Sequence, residues 1–199
     1  MTGRWHPACR TLVLVAVLAR LAASQAQEEM AVPIEVQVPL LLRLLQFDRN
    51  LSSRATDGTV ALGIAYQERF KASREAKDEL VAVIGEKAGA IMGSTALHCV
   101  PLALDGGLNL PAAMAANRIR LLYITPLRAP NLVPLLRVSQ EQKVLTLTGV
   151  TGFVKAGVAV GTDSRGGKPL LLINWSAAKA GGAELHSRLS LLKTVVIIE

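Results

Sequence analysis

Cysteine, histidine and aromatic residues are all scarce in this chain. Its 199 residues hold two cysteines, three histidines and 4% aromatics. So few thiols and imidazoles leave little material for a zinc centre or a disulfide framework. So few aromatics leave no alternation of basic and stacking residues of the kind that grips nucleic acid, and nucleic acid is not expected as a partner. Long single-sign tracts are missing too, so the formal charge of +7 is dispersed rather than focused. No linker, internal repeat or low-complexity tract breaks the chain.

The first residues read as an export signal. Arg4 and Arg10 form a positive start, Leu12 to Ala19 is a short apolar run, and Ser24-Gln25-Ala26 is a small-x-small cleavage site. Arg20, late in the apolar region, is unusual for such a signal. The competing reading is an uncleaved anchor, but the run is well short of the ~20 apolar residues that a spanning helix needs. Residues 1–26 are therefore expected to be removed, with Gln27 first in the mature chain and 27–199 as one domain in the periplasm. Losing Arg4, Arg10 and Arg20 lowers the charge to 7 − 3 = +4. Cys9 leaves as well, so Cys99 stands alone and no internal disulfide can close. An inert buried thiol or an intermolecular disulfide remain as its readings.

What is abundant is apolar periodicity, since 51% of the chain is hydrophobic. Pro39 is expected to open a helix, "PLLLRLLQFDRNL", in which Leu40, Leu41, Leu44, Leu45 and Phe47 share one apolar face. "TVALGIAY" reads as a buried strand after the Asp57-Gly58 turn. Ser73 is expected to cap the helix "REAKDELVAVIGEKAG", with Gly85 and Gly89 closing it. "ALHCVPLAL", "IRLLYIT" and "KVLTLTG" read as strands, separated by the helices "LPAAMAANR" and "NLVPLLRVSQEQ". "TGFVKAG" is a loop or helical turn, and "GVAVGT" and "KPLLLINW" are strands around "DSRGG". Leu185, Leu189 and Leu192 are expected to pack a last helix against the sheet. Strands alternating with helices predict an α/β fold: a three-layer α/β/α sandwich with a mostly parallel sheet and an antiparallel edge hairpin near the C-terminus.

Candidate chemistry fails on its spacing. In "GTDSRGGKP", Gly167 stands where a phosphate loop needs Lys, Lys168 is followed by Pro169, and no helix follows. "GVTGFVKAGVAVG" holds no dinucleotide fingerprint, and no cofactor is implied. His98 and Cys99 are neighbours on a strand and so face opposite sides, which is unsuited to one metal ion. Ser176, in Asn-Trp-Ser-Ala-Ala, lacks the glycines of a hydrolase elbow. A Ser176–Lys179 pair fits one helical turn, but Asn174 or Ser176 as a helix cap explains the same residues. His186 and Ser187 need not meet as base and nucleophile. No catalytic, cofactor or metal residue is assigned, and the chain is read as a non-enzyme.

The order of pieces carries a resemblance. A helix ending in Phe-Asp-Arg-Asn precedes "TVALGIAY". "IRLLYITP", "VLTLTGVTGF" and "VAVG" follow, and the chain closes with "LLLINWSAAKAGGAELHSRLSLLK". This resembles the YfiR/HmsC-like family of exported bacterial proteins over nearly all of the mature chain. The resemblance implies a periplasmic regulator that represses an inner-membrane diguanylate cyclase through its periplasmic sensor domain, with effects on cyclic di-GMP and biofilm. It also implies an outer-membrane lipoprotein that can sequester the regulator, and a homodimer in some members. Redox-sensitive disulfides, known in the family, do not carry over, because "IRLLYIT" does not begin with a Cys and Cys99 is alone. No partner-contact residue is carried over either. The alternative is a small-molecule-binding accessory of a transporter or chemosensory system. Its ligand would sit beyond the carboxyl ends of the strands, near Thr125, Gly149 and Thr151.

Overall fold

The computed structural model describes residues 30–129 and 131–198. The expected signal segment lies outside them. Helix α1 (Ile34–Leu45) and the short α2 (Leu51–Arg54) precede β1 (Thr59–Tyr66). Then follow α3 (Lys71–Met92), β2 (Ala96–Ala103), α4 (Leu110–Ala116), β3 (Ile119–Ile124), α5 (Leu132–Glu141) and β4 (Leu145–Thr148). The last elements are α6 (Thr151–Lys155), β5 (Val160–Arg165), β6 (Lys168–Asn174), α7 (Trp175–Ala180), a 3-10 turn (Ser187–Leu191) and β7 (Val195–Ile198).

The seven strands form one sheet in the order β2-β1-β3-β4-β5-β6-β7. All neighbours are parallel except β5 and β6. Alternate residues feed opposite faces. Leu121 and Tyr123 join the core under α1 and α3, whereas Leu122 and Ile124 join the core with α4, α5 and α6. This is the expected three-layer α/β/α sandwich. The antiparallel hairpin turns on Gly166 and Gly167, both at positive φ, between paired Arg165 and Lys168. Two positive-φ residues are what a right-twisted two-residue hairpin requires. One further strand, β7, lies outside the hairpin and forms the sheet edge.

Four local expectations are corrected. Helix α1 begins after Pro33 rather than at Pro39, because Ile34 and Val38 extend the buried stripe upstream. Pro39 therefore sits within the helix and forgoes one backbone hydrogen bond. Helix α3 begins at Lys71, before Ser73, and continues through Gly85 and Gly89 to Met92. Leu80, Ile84, Ala88 and Met92 hold it together, while both glycines face open space. Phe47 was expected on the apolar face but is exposed. Finally, no long helix closes the described chain: Leu185 and Leu189 are buried as expected, but Leu192 is exposed and Val195–Ile198 is a strand. Four successive β-branched residues favour the extended state.

Candidate functional site

In this strand order the chain reverses direction across the sheet between β1 and β3. Ligands on such sheets sit beyond the carboxyl ends there. Thr125 and Gly149 stand at those ends, as expected, but their groups are occupied from within. Thr125 Oγ1 donates to Ala65 O at 3.0 Å and lies 2.6 Å from Ser73 Oγ. Ser73 Oγ in turn accepts Gln67 N–H at 2.9 Å. The result is a relay, Gln67 N–H to Ser73 to Thr125 to Ala65, across the gap where a ligand would enter. Ser73 is thus a buried tie rather than the cap of α3. Gln67 extends the closure by accepting from Arg128 N at 2.7 Å. Asp105 closes the next loop, accepting from Glu68 N at 3.0 Å and Arg69 N at 2.8 Å. Those two backbone donors hold its carboxyl below the usual pKa of 3.8.

Around Gly149 the closure is tighter. Tyr123 is fully buried, and its hydroxyl donates to Gln37 Oε1 at 2.8 Å. Burial pushes the phenol pKa well up, the charge of Glu79 adds to this, and the Gly149 N–H opposes it. Gln37 Nε2 donates to Val32 O at 2.5 Å. A Cβ at residue 149 would stand 2.5 Å from Gln37 Oε1 and 2.8 Å from Met30 Sδ. A side chain at 149 would have to displace the ends of Gln37 and Met30, as helix α1 leans over the strand ends. Thr151 is half-buried, its hydroxyl 3.2 Å from Asp163 Oδ1 and 3.3 Å from Thr162 O. Sequence reasoning located this end of the sheet but missed Gln37 and Tyr123, which close it.

At the opposite, amino end a buried ion pair joins distant segments. Arg54 Nε donates to Asp48 Oδ2 at 3.0 Å, with side chains 5% and 0% exposed. Asp48 Oδ1 accepts from Asn50 N at 3.0 Å and Glu184 N at 2.8 Å. Arg54 Nη1 donates to Arg120 O at 3.1 Å and Lys143 O at 3.2 Å, and Nη2 to Gly181 O at 3.1 Å. Asn50 Nδ2 adds a bond to Gly182 O at 3.1 Å. Two stretches that carried the family resemblance, Phe-Asp-Arg-Asn and Ala-Gly-Gly-Ala-Glu, are thus clamped together. Beside the clamp lies a cavity of about 190 Å³ lined by Asn50, Ser53, Arg54, Arg120, Lys143 and Gly182.

The other candidates stay apart. Asn174 caps α7, accepting from Ala177 N at 3.0 Å and from Ser176 Oγ at 2.8 Å. Ser176 is therefore tied to the cap, with no described bond to Lys179. His186 Nδ1 accepts from Arg188 N at 3.1 Å and starts the 3-10 turn. His98 is exposed, whereas Cys99 packs against the α1/α3 core and burial pushes its thiol up to about 11. Among the described residues no group of three His, Cys, Asp or Glu could hold a metal ion. No helix among them is long and apolar enough to cross a membrane.

Residues 108–192 match the family model described as YfiR/HmsC-like. The resemblance read from the sequence holds over that stretch, which includes the Gly181–Glu184 side of the clamp. No curated protein matches the chain. A solved structure from Streptococcus pneumonia, the ABC domain in complex with L-Trp, aligns with a TM-score of 0.58 at 15% identity, over 84% of this chain and 62% of that one. A conserved domain protein from Vibrio cholerae O1 biovar eltor aligns with a TM-score of 0.54 at 12% identity, over 84% of this chain and 60% of that one. At such identities the likeness is one of α/β fold. This chain spans about three fifths of the length of both.

Proposed function

We propose that this chain, YfiR/HmsC-like over residues 108–192, is an exported, non-enzymatic regulator that works in the periplasm as a single domain, residues 27–199. It acts by binding one state of a membrane signalling protein, a diguanylate cyclase or sensor kinase, through that protein's periplasmic part. Preferential binding of one state shifts the partner's equilibrium by the difference in affinity between states. A sequestering outer-membrane lipoprotein and a homodimer belong to the same reading.

The observation that carries the proposal, beside the family match, is the closed carboxyl end of the sheet. At the crevice that sheets of this order offer to small ligands, the polar groups of Tyr123 and Gln37, and of Ser73 and Thr125, are bonded to each other. That weighs against the accessory ligand binder, whose site was expected at Thr125, Gly149 and Thr151. It leaves the outer surface to make the functional contacts. The test is crosslinking in intact cells, with identification of the captured membrane protein and cyclic di-GMP measured in a deletion strain. Capture of a signalling protein, with cyclic di-GMP changed on deletion, is expected. Capture of none, with cyclic di-GMP unchanged, overturns the proposal. Sequencing the mature N-terminus should give Gln27.

A further inference from the structure

The cavity beside the Asp48–Arg54 clamp has an unusual charge balance. Its lining residues include three cationic ones, Arg54, Arg120 and Lys143, and no acidic one. Asp48, behind the wall, is already committed on both oxygens. It neutralises Arg54 and leaves Arg120 and Lys143, both exposed at the rim, without a described ion-pair partner. Arg54, 5% exposed, uses Nε once, Nη1 twice and Nη2 once. A guanidinium has five N–H donors. One Nη2 N–H of a buried arginine is therefore without an acceptor among the described residues, in the wall of a polar cavity. Lys143 holds φ at 55° as α5 gives way to β4, and Arg120 is the second residue of β3.

We propose that this cavity binds a phosphate group, as inorganic phosphate or a phosphate monoester. A dianion matches the two uncompensated rim cations. A tetrahedral group offers oxygens to donors in different directions, here Arg54 in the wall and Arg120 and Lys143 at the rim. A planar carboxylate offers two oxygens in one plane and one charge. About 190 Å³ is well above the ~10–15 Å³ that a single water needs on the same measure, enough for the group with part of its hydration. The inference stands apart from the proposed regulatory role, since it concerns the protein alone.

The experiment titrates the purified mature protein with inorganic phosphate at constant ionic strength, by calorimetry and by amide NMR. Saturable one-to-one binding is expected, with shifts centred on Ser53, Arg54 and Gly182. Arg120→Gln and Lys143→Asn should each weaken binding by about tenfold or more, since bonds to charged groups contribute ~1.5–3 kcal/mol. Asparagine tolerates the left-handed backbone at 143. Both residues are exposed, so the variants should keep the parent's melting temperature. Lys155→Gln, in helix α6, should bind as the parent does. Glycerol 3-phosphate distinguishes the source: tighter binding than inorganic phosphate points to a monoester, equal or weaker binding to the free ion. Absence of saturable binding, shifts reproduced by chloride alone, or unchanged affinity in both rim variants overturns the proposal.

Discussion

At the carboxyl end of the sheet neutral groups make the buried ties and Asp105 adds one exposed charged staple, whereas at the amino end the central tie is a buried ion pair. Hydroxyls, amides and a phenol close the first: Gln37, Tyr123, Ser73 and Thr125. A buried carboxylate and guanidinium hold the second. Losing one partner of a buried neutral hydrogen bond costs about 1–3 kcal/mol. Losing one partner of a buried ion pair costs about 3–5 kcal/mol, because the other charge is stranded. The contrast teaches that one end ties its polar groups to one another, whereas the other fixes distant segments beside a cavity lined by cationic residues.

The strongest way to break the contrast is Asp48→Ala, which leaves Arg54 buried without its counter-charge. A loss of about 3–5 kcal/mol is expected in urea unfolding. A loss under ~1 kcal/mol would mean the amino end is no more ionic in its energetics than the other. Next comes Gly149→Ala. Its methyl group would collide with Gln37 and Met30, so about 1–3 kcal/mol should be lost. A neutral outcome would show that α1 can lift off the strand ends. Tyr123→Phe is gentler. It leaves Gln37 Oε1 without its donor, and about 1–2 kcal/mol should go, read from the thermal midpoint.

The smallest effect is in acid. Asp105 has its folded pKa below 3.8, through bonds from Arg69 and Glu68 N–H. Its contribution is thus present in full above the unfolded value and is lost as pH falls through the lower folded one. Comparing Asp105→Asn with the parent should show a stability difference at pH 6 that shrinks below pH ~3.8. A difference independent of pH would remove the one charged staple assigned to the carboxyl end.

Much of the fold was legible because burial on both faces writes itself as apolar runs. "TVALGIAY" and "IRLLYIT" are strands where expected. Misplaced boundaries had local signals outweighed by packing. Gly85 and Gly89 looked like helix ends, but the stripe from Leu80 to Met92 pays for their low propensity. Ser73 looked like a cap, but Thr125, 52 residues away, takes its hydroxyl. The closed end was placed by Thr125 and Gly149, yet its closure was invisible, since Gln37 and Tyr123 are 86 residues apart. The clamp was hidden likewise: Asp48 meets Glu184 across 136 residues.

By itself the sequence determined the alternation of strands and helices, the parallel sheet with its glycine hairpin, and the resemblance that residues 108–192 bear out. Those features follow from the period of apolar residues and from backbone angles that neighbours dictate. Only the tertiary structure decided which end of the sheet is shut, that Asp48 and Arg54 are buried together, and where unpaired cations face a cavity. The physical reason is range. A turn or a strand is set by residues a few positions apart, whereas burial and charge pairing depend on whichever distant segment the folded chain brings near.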